Sequence, residues 1–155
     1  VGGHPAGSKF DLVAWSQGEV RHNVWYSKPN VEASAARKRM MYIVGKALDL
    51  EFALRGVAKA TQKAAYAVSM AKRAAAARKA MNKIAGAVKT PEIEAIVAAA
   101  GAVKLKLNNA ANLTAAADKI STAAEKFSNA HDGSKFAAVD ALVPGADKYK
   151  GKPAP

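Results

Sequence analysis

The chain has 155 residues, half of them hydrophobic but only 6% aromatic, and it carries a formal net charge of +12. That length fits a single domain with one core, and the charge points to anionic partners such as nucleic acid, acidic lipid or an acidic protein surface. The absence of cysteine excludes disulfides, zinc–thiolate sites and cysteine nucleophiles, and the longest apolar run, near Ala95–Val103, falls far short of the roughly 20 residues that a membrane span needs.

Residues 1–30 show no helical period and are punctuated by Gly2, Gly3, Pro5, Gly7, Gly18 and Pro29, so they read as an extended arm. The arm carries Phe10, Trp15, Trp25 and Tyr26, including both tryptophans of the chain. Solvated tails rarely have that composition. Either the arm folds back over its own bundle, or these four aromatics anchor to a partner, as large amphipathic side chains do at interfaces. The chain begins at Val1 rather than Met, which fits a processed mature protein or an arbitrary starting point.

Asn30 is suited to cap a helix, with Glu32 in its first turn. No proline follows until Pro91, so 31–89 is expected to be one helix of roughly 89 Å, or a pair kinked near Gly45 and Gly56. Over Met40–Val57 the apolar residues fall on two faces. Met41, Val44, Leu48 and Phe52 form one; Ile43, Ala47, Leu50 and Leu54 form the other, the pattern of a helix buried between neighbours. After Gly56 the pattern narrows to one stripe of Tyr66, Met70, Ala77, Met81, Ile84 and Val88.

The same stretch concentrates the charge. Residues 31–90 carry a net +10, against +1 for 1–30, 0 for 91–131 and +1 for 132–155. Between positions 55 and 83 stand eight basic residues and no acid: Arg55, Lys59, Lys63, Lys72, Arg73, Arg78, Lys79 and Lys83. On one continuous helix they surround most of the exposed circumference, which suits electrostatic docking and does not suit a groove-reading stripe. Phosphate-directed, sequence-independent nucleic-acid binding by this helix is the competing reading.

Thr90-Pro91-Glu92 is a helix start, with Thr as N-cap, Pro at the first position and acids in the first turn. Ile93, Ile96, Ala100, Val103, Leu107, Ala110, Leu113, Ala117, Ile120, Ala124 and Phe127 then follow a heptad seam with one short step at Ala110–Leu113. This predicts one helix over 91–131, closed by Gly133 as a left-handed C-cap. Ser134 is expected to cap a short helix over 135–142 presenting Phe136, Val139 and Leu142. Residues 143–155 read as an extended basic tail. The fold class is therefore all-α: an Ala-rich bundle of long antiparallel helices over 31–142, with an arm before it and a tail after it.

Catalytic constellations are scarce. His4, His22 and His131 have no ligand spacing among them, and the carboxylates of 91–131 lie off the seam, so neither metal nor cofactor is expected. Asp49 and Glu51 are two apart and do not face each other; they are expected to pair with Lys46 and Arg55 respectively. Asn112-Leu-Thr114 matches a glycosylation pattern but falls mid-helix. No enzymatic activity is indicated. The expected role is a scaffold or docking subunit that meets an acidic partner through the aromatic arm.

The arm with Trp15 and Trp25, the Pro91 restart and the Ala-rich seam ending at Phe127 make the chain similar to the Q-type extrinsic subunits of photosystem II. That resemblance covers architecture only. It implies a processed protein of the thylakoid lumen or another extracytosolic space, peripheral on a membrane core, without catalysis of its own. The family has four helices of similar length, whereas 31–89 shows no strong break in the sequence.

Overall fold

A computed structural model describes residues 10–18, 21 and 31–152. Within them lie a short helix α1 (Leu12–Ser16), four longer helices α2 (Ala35–Lys59), α3 (Ala65–Ala87), α4 (Pro91–Gly101) and α5 (Ala110–Ala130), and two 3-10 turns at Ala137–Leu142 and Ala146–Lys148. The fold is all-α. Helix α2 packs on α3 and α5, and α4 packs on α5 and α3, so the four longer helices close into a ring with sequence neighbours antiparallel.

The expected single helix over 31–89 is corrected: α2 ends at Lys59 and α3 begins at Ala65, so the break falls at 60–64 and not at either glycine. Ala60, Gln62, Lys63 and Ala64 in that connection are good helix formers and only Thr61 is a weak one, so propensity alone does not dictate a break. What decides the break is burial. A straight rod would leave one apolar face of α2 and the stripe of α3 in water, whereas reversal buries the stripe from Met70 to Val88; Tyr66, expected in it, stays exposed. Gly45 and Gly56 are places of close approach. A Cβ at Gly56 would lie 2.6 Å from the Met70 sulfur, and one at Gly45 would lie 3.1 Å from Leu12 Cβ.

The start of this region also differs. Asn30 lies outside the described residues, and the cap of α2 is Ser34, whose hydroxyl accepts from the Arg37 N–H at 3.3 Å. Of the two apolar faces of α2, Ile43, Ala47, Leu50 and Leu54 are buried in the core as expected. The other face is divided: Met41 and Val44 are half-buried, whereas Leu48 and Phe52 are exposed.

The expected continuous helix over 91–131 is likewise two helices. Thr90 does cap α4, its hydroxyl accepting from the Ile93 N–H at 3.3 Å, with Pro91 in the first turn. The seam holds at Ile93, Ile96 and Ala100 and again from Leu113 to Phe127, but Ala110 is exposed and Val103 and Leu107 are half-buried. Residues 103–107, Val-Lys-Leu-Lys-Leu, alternate instead, with the three apolar side chains half-buried and both lysines exposed. That period of two belongs to a non-helical connection, tightened where the Lys106 N–H donates to the Lys104 carbonyl at 3.0 Å. Asn108, with φ 57°, turns the chain into α5.

Helix α5 stops at Ala130 with His131 as its C-cap in extended conformation (φ −132°), so Gly133 does not close the helix as expected, although it does take a left-handed conformation (φ 85°) in the turn that follows. The short element over 135–142 is a 3-10 turn at Ala137–Leu142 with Phe136 and Val139 buried. Ser134 does not cap it; its hydroxyl and N–H both go to Asp132.

The described part of the arm, residues 10–18, and the tail as far as Lys150 are folded onto the bundle. Asp11 caps α1, accepting from the Val13 and Ala14 N–H groups at 3.0 and 3.1 Å, and its other oxygen takes Lys46 Nζ at 2.7 Å. Gln17 is fully buried and its Oε1 accepts from the Ala33 N–H at 2.7 Å. Residues 10–18 are thus a helical turn docked on α2, not an extended arm. The tail crosses over them: the Lys150 N–H donates to the Ala14 carbonyl at 2.9 Å, and the Tyr149 hydroxyl donates to Glu32.

Candidate functional site

The docking of α1 on α2 leaves Phe10 and Trp15 facing outward, stacked with ring centroids 6.1 Å apart and planes at 25°. Trp15 is 50% exposed and Phe52 60% exposed, with Phe10 and Leu48 also open to solvent. Phe10, Leu48 and Phe52 border a shallow cavity of about 200 Å³ that reaches down to Gly45 and Met41. Two ion pairs wall it, Lys46 with Asp11 and Arg73 with Asp49. The charge around the cavity is therefore internally balanced, and what it offers is apolar surface. A cluster of exposed large apolar side chains of this kind marks an interaction surface more often than a lone exposed residue does. Trp25 and Tyr26 lie outside the described residues.

The pairing of Asp49 corrects an expectation. Asp49 meets Arg73 of α3, not Lys46, because reversal at 60–64 brings α3 alongside α2. Glu51 does pair with Arg55, at 2.9 Å, and Arg55 also takes Asp118 of α5 at 2.8 Å. Arg78 donates to the Val103 carbonyl at 3.1 Å. All three arginines of the basic stretch are thus engaged inside the protein, and they bind the helices to one another.

The five lysines behave differently. Lys59, Lys63, Lys72, Lys79 and Lys83 are exposed and take part in no ion pair among the described residues. With the helix broken at 60–64, the register that spread the charges around one rod no longer applies. Within α3, Lys72, Lys79 and Lys83 fall within about 40° of one another at 100° per residue. They form a stripe along the outer side of α3, whereas Lys59 shares the α2 face of Phe52, offset by about 20°.

His131 completes a triangle of rings with Phe127 and Phe136: its centroid lies 4.8 and 5.1 Å from theirs, and the two phenyl rings stack on each other at 5.3 Å. Its Nε2 lies 3.6 Å from Glu92 Oε2. The Glu92 carboxyl is held below the ordinary carboxylate range by its own backbone N–H and by Thr90, with a smaller effect from His131. This contact joins the start of α4 to the end of α5. No group of three or more His, Cys, Asp or Glu side chains that could hold a metal exists among the described residues. His4 and His22 lie outside them. No helix among the described residues is long and apolar enough to cross a membrane.

The sequence singles out Phe10 and Trp15 but puts Phe52 only on a buried face, so it misses the centre of the apolar surface. A signal for it exists: α2 is apolar on two sides, and a docked α1 of five residues covers only part of one of them. Comparison with family models, with curated proteins and with solved structures gives no match for this chain.

Proposed function

We propose that this chain is a non-enzymatic docking subunit of a larger protein assembly. The observation that carries this reading is the outward cluster of Phe10, Leu48 and Phe52 around one cavity, with the exposed Trp15 stacked on Phe10 beside it. Such side chains lose their contact with water when a partner covers them, and aromatic anchors supply most of the energy of an interface. The partner presents an acidic surface. The unpaired lysines of α3 attract it at long range, which raises the association rate more than the final affinity.

The finer form of the reading is an extrinsic or linker subunit of a photosynthetic complex. It rests on the resemblance of the arm, the Pro91 restart and the Ala-rich seam to Q-type photosystem II subunits. The break at 60–64 gives four longer helices, but α4, with 11 residues, is about half the length of the other three.

The test is co-purification of the full chain with its partners at native salt, alongside the Phe10→Ser/Phe52→Ser variant. Loss of the partner from the variant, with helicity unchanged, supports the reading. Partner retention by the variant overturns it. A gel shift with duplex DNA that weakens steeply with salt would replace it by the nucleic-acid reading.

A further inference from the structure

We propose that the cavity between the 102–109 connection and α5 binds a compact polyanion of oligophosphate chemistry. It has a volume of about 460 Å³, within the usual range for small-molecule sites. Its charged lining is Lys104, Lys106 and Lys119, joined by the amides of Asn109 and Asn112.

The distribution of charge sets this cavity apart from the general basicity of the chain. Residues 91–131 are neutral overall, with four lysines and four carboxylates. Three of the four lysines line the cavity, and none of Glu92, Glu94, Asp118 and Glu125 does. Asp118, beside Lys119 in the chain, is drawn away to Arg55. Lys104, Lys106 and Lys119 form no ion pair among the described residues. Three uncompensated ammonium groups around one concavity repel one another, and an anion placed there relieves that repulsion.

The lysines are carried on a fixed backbone. Val103, Leu105 and Leu107 are half-buried on the inner side, so the alternation of 103–107 puts Lys104 and Lys106 outward together. Arg78 holds the Val103 carbonyl, Asn109 Nδ2 donates to the Lys104 carbonyl at 2.9 Å, and Asn112 Nδ2 donates to Asn109 Oδ1 at 2.7 Å. This chain of bonds ties the connection to α5. On α5 itself, Asn112 and Lys119 are seven residues apart and share a face to within about 20°. Lysine ammonium groups bind phosphate oxygens as point charges.

The lining also bounds the ligand. It contains no aromatic side chain and no arginine, so nothing stacks on a nucleobase. Recognition is by charge and amide donors, which selects a small oxyanion of high charge over a nucleic-acid strand. The site is separate from the aromatic docking surface, and neither reading depends on the other.

The experiment is calorimetric titration of the full chain with inorganic tripolyphosphate at physiological ionic strength. The triple variant Lys104→Gln/Lys106→Gln/Lys119→Gln is compared with Lys72→Gln/Lys79→Gln/Lys83→Gln, which removes the same charge from α3. Saturable one-to-one binding is expected, weakened at least about tenfold in the first variant and within about twofold of the parent in the second. All six lysines are exposed, and circular dichroism verifies that both variants fold. Absence of saturable binding to the parent, or equal weakening in both variants, overturns the proposal.

Discussion

Gly56 of α2 faces Met70 of α3 so closely that a Cβ on the glycine would lie 2.6 Å from the Met70 sulfur and 2.7 Å from its Cγ. Two effects then oppose each other in Gly56→Ala. Helix propensity favours alanine by about 1 kcal/mol, while overpacking a filled core costs about 1–3 kcal/mol. The second is larger here because Met70 is itself buried. We expect a net loss of about 1 kcal/mol in urea unfolding. At Gly86 a Cβ would meet no atom within 4 Å, so the same change there should gain about 0.5–1 kcal/mol. Equal signs for the two would show that close packing at Gly56 is not what holds α3 in place.

Gly133 is constrained more severely. Its φ of 85° disfavours any Cβ, and one placed there would stand 2.2 Å from the Ala36 carbonyl oxygen, a backbone atom that cannot rotate away. Gly133→Ala should therefore destabilise by at least about 2 kcal/mol. A thermal midpoint unchanged from the parent would contradict the docking of this turn on the start of α2.

Phe52 and Leu54 are two residues apart on opposite sides of α2. Leu54 is fully buried, so Leu54→Ala should cost about 2–5 kcal/mol. Phe52→Ser should change stability by less than about 0.5 kcal/mol while reducing partner association. Denaturant melts of both variants check the contrast. A large loss for Phe52→Ser would show that this side chain serves the fold.

Acid stability should depend on a small set of carboxylates. Asp140 is held below its ordinary value of 3.8 chiefly by its hydrogen bond to Arg39. Glu32 is held below 4.5 by Lys38 and then by Tyr149. A carboxylate depressed in the folded state stabilises fully above its unfolded pKa, and that contribution is lost as pH falls through the lower folded value. Unfolding free energy should thus decline as pH drops below about 4. In Asp140→Asn the decline should be shallower. An unchanged slope would remove Arg39–Asp140 from the account.

Arg78 reaches from α3 to the Val103 carbonyl and so fixes the connection that carries Lys104 and Lys106. Arg78→Gln should cost about 0.5–1.5 kcal/mol and should speed amide hydrogen exchange across 103–109 more than elsewhere. Exchange that rises uniformly over the bundle would indicate a general loss of stability with no local loosening.

Much of the architecture follows from local chemistry that a sequence displays. Thr90 and Pro91 start α4 because a hydroxyl acceptor and a fixed φ act within one helical turn. The core positions Ile93, Ile96, Leu113, Ile120 and Phe127 follow from the heptad seam, since residues of one face recur every three or four positions. The left-handed φ of Gly133 is legible because it is a local requirement that favours glycine, whereas its close approach to the Ala36 carbonyl is set by tertiary packing. The alternation in Val-Lys-Leu-Lys-Leu is also visible, but the strong helical seam on each side of it overwhelms so short a signal.

Other features depend on which helix lies beside which. The break at 60–64 lacks glycine and proline, and its advantage is the burial won by reversing the chain, a quantity that no local window contains. The choice of Arg73 as the partner of Asp49 follows from that reversal, and the reach of Arg55 to Asp118 and of Arg78 to the Val103 carbonyl follows from where the later helices pack. Composition and periodicity determined an all-α, Ala-rich, basic bundle. Tertiary packing alone decided which of its charges and aromatics remain free to meet a partner, because burial and ion pairing are set by neighbours distant in the chain.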